Sequence, residues 1–282
     1  MRFAVPALRL LPRNLISRAA GRFAAARLPR PLVRAEILAF ARAVGVDLSE
    51  VRDPLDSFAS LQEFFTRALR DGVRPVDPAP DALVSPCDGA FGECGLVRDG
   101  QLLQLKGRPY GLHELLGSRE DAEAFEGGAF ATLYLSPRDY HRFHAPCEAR
   151  VERVTYLPGT LWPVNRLGLE GVDALFAQNE RICAFMRAAR GDALLCLVAV
   201  GATMVGKVRL RFDALETNLP GARELRRAYS GGGVALAKAE EWGRFEFGST
   251  LVLLAQPGAV ALEARAPGTS VRLGERIGRL GA

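Results

Sequence analysis

The stretch ALLCLVAVGATMVG, residues 193–206, decides the fold class of this chain because it is apolar and carries no charge. Its 14 residues are fewer than the roughly 20 that a membrane-spanning helix needs, so it predicts buried β-structure. Similar short runs, separated by Gly, Pro and Asp, predict further strands. The predicted strands cover residues 129–135, 194–201, 203–212, 251–255 and 259–264, with helical interruptions near 111–126 and 172–181.

The N-terminal part of the chain has helical patterning. Pro31 is expected to begin a helix, and Ser60 with Glu63 forms a capping box in front of a second helix that carries Phe64 and Phe65. The sequence therefore predicts an α+β protein, with a helical region over residues 1–70 and a β-rich domain over residues 71–282. The apolar positions of the first helix are Leu32, Ile37, Phe40, Ala41 and Val44, and those at the end of the second are Ala68 and Leu69.

Positive charge is concentrated at the N-terminus. Residues 1–45 contain nine arginines and one acidic residue, whereas the rest of the chain is slightly acidic. Leu15, Ala19 and Phe23 recur at helical spacing between arginines, which is typical of an amphipathic helix on an anionic membrane surface. A solvated basic helix and a mitochondrial presequence are the alternatives. Nucleic-acid binding is not expected, because the arm lacks interleaved aromatic residues and a known reading motif.

Cysteine and histidine are too scattered for a metal site. The five cysteines form no C-x-x-C pair, which fits a reducing compartment better than a disulfide scaffold. Only three histidines occur, at positions 113, 141 and 144, so no metal is expected.

The C-terminal segment APGTSVRLGERI, residues 266–277, has two turn signals with apolar residues between them. It resembles the hairpin of biotinyl- and lipoyl-binding hammerhead folds, of the barrel-sandwich type. The lysine that would carry biotin or lipoate is absent, so we interpret the segment as a feature of the fold and not as a carrier site.

Three further segments contain the residues suited to chemistry: SPCDG at 85–89, YLSPRDYHRFHAPC at 134–147 and KAEEWGRFEFGST at 238–250. Two of the three histidines lie three residues apart directly after a predicted strand, a common place for functional side chains. Glycine before Ser249 allows a strained backbone whose carbonyl is open to the neighbouring hydroxyl. Taken alone, the first segment also fits a turn, the third fits a β-bulge or tight turn, and a lone histidine such as one in the second is usually structural.

Together these segments resemble the hallmark sequences of the pyruvoyl-dependent phosphatidylserine decarboxylases of bacteria and mitochondria. The resemblance extends from about residue 50 to the C-terminus. The family pattern usually has glycine at Ala239, leucine at Phe247 and an aliphatic residue at Trp242. Further matching pieces occur in the family's order: EFF at 63–65, KG at 106–107, PG at 158–159, VN at 164–165, FAQNER at 176–181 and VGATMVG at 200–206.

The resemblance implies that the chain cuts itself. Ser249 would attack the carbonyl carbon of Gly248 and convert the amide to an ester, and β-elimination would then separate residues 1–248 from residues 249–282. The new N-terminus would become a pyruvoyl group, a cofactor made from Ser249 itself. The resemblance assigns the base to His144 and the orienting carboxylate to Asp88, with Thr250 in support.

The implied activity is decarboxylation of phosphatidylserine to phosphatidylethanolamine through a Schiff base with the pyruvoyl group. His144 and His141 are both candidates for the proton donor to the product. The implied partners are phosphatidylserine in an anionic membrane and a second cleaved protomer, at the cytoplasmic face of a bacterial inner membrane, with an organelle as the alternative. Two rival functions stay open: a pyruvoyl decarboxylase of a soluble amino acid, and an unprocessed hammerhead-like binding module without catalysis.

Overall fold

The computed structural model describes residues 12–104, 108–203, 207–246 and 249–281, with the backbone alone at residues 166 and 167. Helices and strands are mixed in these residues, as the α+β prediction requires. None of the helices described there is both long and apolar enough to cross a membrane. The helices are α1 Arg13–Ala24, α2 Arg30–Val44, α3 Leu61–Phe65, α4 Leu112–Leu116, α5 Arg119–Glu123, α6 Arg166–Gly171 and α7 Leu175–Gln178, with single 3₁₀ turns at Leu48–Glu50 and Leu55–Ser57.

Both predicted N-terminal helices are confirmed. Pro31 lies in the first turn of α2, where its missing N–H costs nothing, and Gly45 ends the helix in the left-handed conformation at φ +83°. At the start of α3, the Ser60 hydroxyl accepts a hydrogen bond from the Glu63 N–H, as the capping box predicts. This helix ends at Phe65, earlier than the pattern predicts, and the Thr66 hydroxyl donates to the carbonyls of Gln62 and Glu63.

The strands carry most of the fold, and all pairings between them are antiparallel. The predicted strand at 129–135 is confirmed as β5, the 194–201 run forms β9, and the 203–212 run is reduced to the short β10. The strands are β1 Ala82–Val84, β2 Gly89–Leu96, β3 Gln101–Gln104, β4 Arg108–Gly111, β5 Ala129–Leu135, β6 Arg142–His144, β7 Ala149–Leu157, β8 Arg181–Ala188, β9 Leu194–Val200, β10 Val208–Leu210, β11 Leu225–Ala228, β12 Val234–Leu236, β13 Glu241–Phe245, β14 Ser249–Ala255, β15 Val260–Leu262, β16 Ser270–Val271 and β17 Arg276–Leu280.

A nine-stranded sheet forms the centre, in the order β11-β7-β8-β9-β14-β5-β2-β16, with β12 also paired to β7. Strand β14 is fully buried and separates two apolar cores. Because side chains alternate along a strand, Leu251 and Leu253 enter one core while Val252 and Leu254 enter the other. The first core also contains residues of two three-stranded sheets, β10-β13-β6 and β1-β17-β15.

The C-terminal segment differs from the predicted hairpin. Its two turns lie where expected, but β16 pairs with β2 and β17 pairs with β1 and β15, so the two strands are not hydrogen-bonded to each other. The backbone N–H of Leu273, in the second turn, donates to the carboxylate of Asp88. This long-range bond draws the turn toward the 85–89 segment, which local patterning alone does not reveal.

The N-terminal helices have a small core of their own, built from Val33, Ile37, Phe58 and Phe64. They join the sheets through specific contacts: the Asn14 side chain donates to the Gly159 carbonyl at 3.0 Å, for example. Six large apolar side chains of the described chain are exposed on this region, at positions 15, 16, 23, 28, 32 and 38.

Candidate functional site

The three segments singled out from the sequence are joined by backbone hydrogen bonds. The N–H of His144 donates to the Pro86 carbonyl at 2.7 Å, which ties the second segment to the first. The N–H of Ala145 donates to the Glu240 carbonyl at 2.8 Å, which ties the second to the third. The fold therefore brings together residues that are more than 150 positions apart in the sequence.

Ser249, Leu135 and Gly89 lie at one edge of the central sheet. Ser249 begins β14 and pairs with Leu135 at the end of β5, and β2 begins on the other side of β5 at Gly89. A side chain at Gly89 would place its Cβ 2.2 Å from the carbonyl oxygen of Tyr134, so the close approach of these strands requires glycine. Asp88 precedes this glycine and is thereby fixed at the same edge as Ser249.

The side chain of Ser249 is fully buried and points, by strand alternation, to the same core as Leu251 and Leu253. That core also contains Phe143 of β6, the residue before His144. The Ser249 hydroxyl has no hydrogen-bond partner among the described atoms, and neither has the hydroxyl of Thr250. A buried unpaired hydroxyl costs about 1–3 kcal/mol, which favours a role in chemistry. Gly248, predicted as the other half of the cleavage site, lies outside the described residues.

His144 ends β6, opposite Glu241 of β13, and is buried. Its Nδ1 lies 2.8 Å from the Ala239 carbonyl oxygen and its Nε2 lies 3.2 Å from the Tyr140 hydroxyl. Burial lowers the pKa of His144, while the bond to the Ala239 carbonyl and the charges of Glu241 and Asp88 act in the opposite direction. The imidazole is therefore neutral near pH 7, as a general base must be.

Asp88 is held by the side chain of Arg74 and the backbone of Leu273. Arg74 donates to its carboxylate through Nε at 2.9 Å and 3.0 Å and through Nη2 at 2.6 Å, and the Leu273 N–H adds a bond of 2.8 Å. The same guanidinium binds Glu50 from the N-terminal region. Within the described residues no hydrogen bond joins Asp88 to His144. Its influence on the imidazole is electrostatic, as a nearby negative charge.

His141 precedes β6 and is fully buried, with its ring centre 4.1 Å from that of Phe65. Its Nδ1 lies 2.9 Å from the Asp139 carbonyl oxygen, and its Nε2 has no partner in the described part of the chain. Burial lowers the pKa of His141 to about 3; the bond to the Asp139 carbonyl acts in the opposite direction, and the charge of Arg67 lowers it further. Since a carbonyl can only accept, Nδ1 carries the proton and Nε2 presents a lone pair.

Three residues near the histidines have positions that motif reading did not reveal. Arg67 is buried and donates through Nη2 to the carbonyls of Arg138 and Asp139, while its Nε and Nη1 have no acceptor among the described residues. Arg74 and Tyr140 are the others. The only signal in the sequence is that Tyr140 lies inside the second segment, next to His141.

Metal ligands are not gathered anywhere in the described ranges: no group of three or more His, Cys, Asp or Glu side chains has the geometry to hold an ion. The side chains suited to chemistry at this edge of the sheet are a hydroxyl, two neutral imidazoles and charged groups.

Comparison with known proteins gives a consistent result. The family model described as phosphatidylserine decarboxylase matches residues 61–279. A relative from Anaeromyxobacter sp. (strain K), named phosphatidylserine decarboxylase proenzyme, is 46% identical over 280 residues and covers 98% of both chains. Relatives of the same name are 43% identical in Acidovorax ebreus (98% of this chain, 97% of the relative) and 41% identical in Brevibacillus brevis (86% and 85%). The chain belongs to the phosphatidylserine decarboxylase family.

Proposed function

We propose that the chain is a precursor that cuts itself between Gly248 and Ser249 and then decarboxylates phosphatidylserine to phosphatidylethanolamine. The observation that carries this proposal is the Ser249 hydroxyl, which is buried without a described partner at the head of the central strand. It points into the core that contains Phe143, the neighbour of His144 in β6. The proenzyme name of the relatives supports the same conclusion.

In self-cleavage, Nε2 of His144 takes the proton of the Ser249 hydroxyl as the oxygen bonds to the carbonyl carbon of Gly248. A positive charge then develops on the imidazole in a buried place. The carboxylates of Asp88 and Glu241 favour that charge, since both act to raise the pKa of His144. Asp88 thus supports the base by its charge, while its own position is fixed by Arg74.

The described residues fit a pyruvoyl group at position 249. After cleavage, β14 would still lie between β5 and β9, β16 would pair with β2 and β17 with β1, so the 34-residue small chain would stay in the core. The ketone of the pyruvoyl group would form at the Cα of Ser249, with its oxygen in place of the backbone nitrogen, and the buried side-chain position would be taken by the methyl group. Such a group supplies a carbonyl that reacts with the substrate amine and accepts the electrons left when carbon dioxide departs.

We assign the proton transfer to the product to His141, with His144 as the second candidate. The neutral imidazole of His141 presents a bare Nε2, so it has to take up a proton before it can donate one. The substrate enters as an ammonium, and its proton must leave before the amine can react with a carbonyl. Because burial lowers the pKa of His141 to about 3, the imidazole takes that proton only with a negative group of the substrate beside it to favour the imidazolium, and it then returns the proton to the α-carbon.

A lipid substrate fits a cleft of about 560 Å³ beside Glu246, three residues before Ser249. Leu15 and Leu219 line its apolar part, and Arg18 and Arg22 of α1 bring positive charge. An apolar wall next to cations suits an anionic phospholipid and is of little use to a free amino acid. This arrangement favours phosphatidylserine over the soluble-substrate alternative.

We also propose that the N-terminal helices lie on the membrane. Phe23 is 74% exposed, Leu15 is 58% exposed, and both belong to a helix with arginines beside them. Vesicles containing anionic lipid should bind the intact protein more strongly than a variant with Phe23→Ser and Leu15→Ser. Leu103→Ser, at an exposed apolar residue of β3, is the matched control and should bind as the wild type does.

Two finer expectations remain proposals. We propose a homodimer of cleaved protomers, which light scattering on the purified protein tests directly. We also propose that residues 266–277, although hammerhead-like in sequence, hold the Asp88 carboxylate in position through the Leu273 N–H.

Intact-mass measurement of the purified full-length protein tests the main proposal. We expect two chains, with the 34-residue chain blocked at its N-terminus and reactive with a carbonyl reagent such as phenylhydrazine. Ser249→Ala should give one chain without a reactive carbonyl, while Ser230→Ala, at an exposed turn, should be processed normally. Carbon dioxide should be released from phosphatidylserine vesicles and not from free serine. A single uncut chain from an active preparation would contradict the proposal.

A further inference from the structure

The guanidinium of Arg67 is a buried cation with incomplete hydrogen bonding. Only 4% of the residue is exposed, and its Nη2 donates to the carbonyls of Arg138 and Asp139 at 2.9 Å and 3.3 Å. Nε and Nη1 meet no acceptor among the described residues. Buried polar groups are normally bonded, and an unpaired charged donor costs more than a neutral one. The two nitrogens therefore indicate a place for an anionic ligand.

Arg67 lines a cavity of about 250 Å³, together with Arg74, Arg138 and Arg272. Its charge is also influenced by acidic side chains nearby, none of which is hydrogen-bonded to it in the described part of the chain. Four acidic residues line the cavity, so the formal charges of its wall balance. These residues are Asp47, Glu50, Asp88 and Asp139.

The carboxylates of this cavity already accept hydrogen bonds from other groups. Arg74 donates to Glu50 and Asp88, the N–H and hydroxyl of Ser136 donate to Asp139, and those of Ser49 donate to Asp47. The side chains of Arg138 and Arg272 are 64% and 65% exposed, and each lies 3.7 Å from a carboxylate, which is longer than a hydrogen bond. The cavity thus has donors to spare, which suits an anion although its formal charges balance.

Arg67 and His141 are neighbours in space. The Asp139 carbonyl oxygen accepts from both, at 3.3 Å from Nη2 of Arg67 and at 2.9 Å from Nδ1 of His141. An anion bound to Arg67 would therefore lie near the imidazole to which proton transfer is assigned. It would add negative charge there and offset the charge of Arg67, which lowers the pKa of His141.

We propose that Arg67 binds the phosphodiester of phosphatidylserine in this cavity. Only the β-carbon and an ester oxygen separate the phosphorus from the α-carbon in that substrate, so a phosphate held here keeps the α-carbon near His141. The carboxylate is the less suitable occupant, because a cation against it would stabilise the charge that has to be lost as carbon dioxide leaves. This inference rests on the proposed decarboxylation of phosphatidylserine.

The cavity and the lipid cleft lie at the two ends of α3. Gln62, in the first turn of this helix, lines the cleft, and Arg67 follows the last turn. Helical rise between these positions is about 8 Å. Phe65 lies between them and packs on His141. One phospholipid can therefore place its acyl chains in the cleft and its phosphate at Arg67.

The first test measures the kinetics of the cleaved full-length protein on dihexanoyl phosphatidylserine, dissolved below its micelle concentration so that membrane binding plays no part. Arg67→Met should raise KM about 10–100-fold, the usual loss of a hydrogen bond to a charged group. Arg67→Lys keeps the charge without the planar fork and should raise KM less. Arg108→Met should match the wild type, because Arg108 also donates to a backbone carbonyl but does not line the cavity.

The second test separates anion binding from a structural effect. Dimethyl phosphate, a monoanionic diester without an amine, should inhibit the wild type competitively, and Arg67→Met should raise its inhibition constant at least about 10-fold. The rate at which phenylhydrazine labels the pyruvoyl carbonyl should stay unchanged, because that reaction needs no anion site. Inorganic phosphate is the comparison probe. Inhibition by inorganic phosphate without inhibition by dimethyl phosphate would indicate a site for free phosphate and would overturn the proposal.

The outcomes distinguish this inference from the proposed function. A wild type with a reactive carbonyl that releases no carbon dioxide from phosphatidylserine contradicts the proposed function. An active wild type, with an Arg67→Met variant of unchanged KM, contradicts the role of Arg67 alone. A processed variant whose carbonyl labelling falls together with its turnover contradicts that role too, because Arg67 would then support the fold and not the phosphate. If Arg67→Met is not processed, Arg67→Lys replaces it, and a KM equal to that of Arg108→Met overturns the inference.

Discussion

His141 and His144 are three residues apart, yet the protein surrounds them differently. His144 has a hydrogen-bond partner on each ring nitrogen, whereas among the described residues His141 has a partner on Nδ1 alone and its ring packs on Phe65. Both are neutral for the same reason, which is burial. The difference is in keeping with the separate roles proposed above, self-cleavage for His144 and proton transfer to the product for His141.

The largest expected effect comes from replacing each histidine by glutamine. His144→Gln should slow self-cleavage by about 10²–10⁴-fold, the usual contribution of a general base. His141→Gln should cleave at nearly the wild-type rate, and the cut protein should lose decarboxylation by a similar factor. Gel analysis of newly made protein measures the first rate, and carbon dioxide release measures the second. Blocked cleavage in His141→Gln would remove the distinction between the two residues.

Arg74→Met tests the surroundings of His144, because Arg74 holds the Asp88 carboxylate whose charge acts on that imidazole. The guanidinium of Arg74 neutralises Asp88 and Glu50, and all three side chains are largely buried. Its loss should lower the free energy of unfolding by about 3–5 kcal/mol, because two buried carboxylates lose their partner. Self-cleavage should slow as Asp88 leaves its place.

Urea unfolding of the uncut Ser249→Ala chain measures this loss. Arg153→Met is the control, because Arg153 binds Asp121 through two nitrogens at 2.6 Å and 3.1 Å in a more exposed pair far from Ser249. It should cost about 1 kcal/mol and leave cleavage of the otherwise wild-type chain unchanged. Equal losses of unfolding free energy in Arg74→Met and Arg153→Met would show that the ion pairs of Arg74 stabilise the fold no more than a more exposed pair does.

The surroundings of the two histidines also show which features of the site the sequence predicts and which it does not. Local signals predicted β5 at 129–135, the cap at Ser60 and the three segments that meet at the sheet edge. The partners within the site were not predictable in this way. Arg74 reaches Asp88 from 14 positions upstream and Leu273 reaches it from 185 positions downstream, and a carboxylate next to glycine predicts neither bond. Such contacts depend on how sheets pack, which motif spacing does not encode.

Ala239 illustrates the same limit. Its place in the family pattern, where glycine is usual, suggested only altered packing. The structure gives the residue a left-handed backbone at φ +61°, and its carbonyl accepts a hydrogen bond from Nδ1 of His144. A sequence position that favours glycine thus marks the turn whose carbonyl holds the His144 ring.

The pH dependence of the free energy of unfolding should report on the burial of His141. The pKa of His141 is about 3 when folded and near 6.5 when unfolded, so between these values the unfolded chain binds more protons. The stability present above pH 6.5 is therefore lost as the pH falls, by about 1 kcal/mol per pH unit. Unfolding of the Ser249→Ala chain at pH 6 and pH 5 should show this loss.

The same chain with His141→Gln should lose less stability between these two pH values. His113→Gln, at a partly exposed position in α4, is the control and should lose as much as its parent. Identical losses in all three proteins would mean that His141 is not held neutral by burial.

The smallest effect is expected at Ala239. Its left-handed backbone costs an alanine about 1 kcal/mol, and glycine removes that cost but has more freedom to lose on folding. Ala239→Gly should therefore change the free energy of unfolding by less than about 1 kcal/mol and leave cleavage within about twofold, since the carbonyl that orients His144 is retained. Ala239→Val should slow cleavage, because a branched side chain resists the left-handed turn.

Ala228→Gly, at an exposed position in β11, is the control and should be destabilising by about 0.5–1 kcal/mol, as glycine is in ordinary extended backbone. Urea unfolding of the uncut chain gives both free energies, and a gel time course gives the cleavage rates. If Ala239→Gly costs as much as Ala228→Gly, the turn is not strained. If it also slows cleavage strongly, the alanine methyl group itself would be needed, and His144 would not owe its orientation to the backbone carbonyl alone.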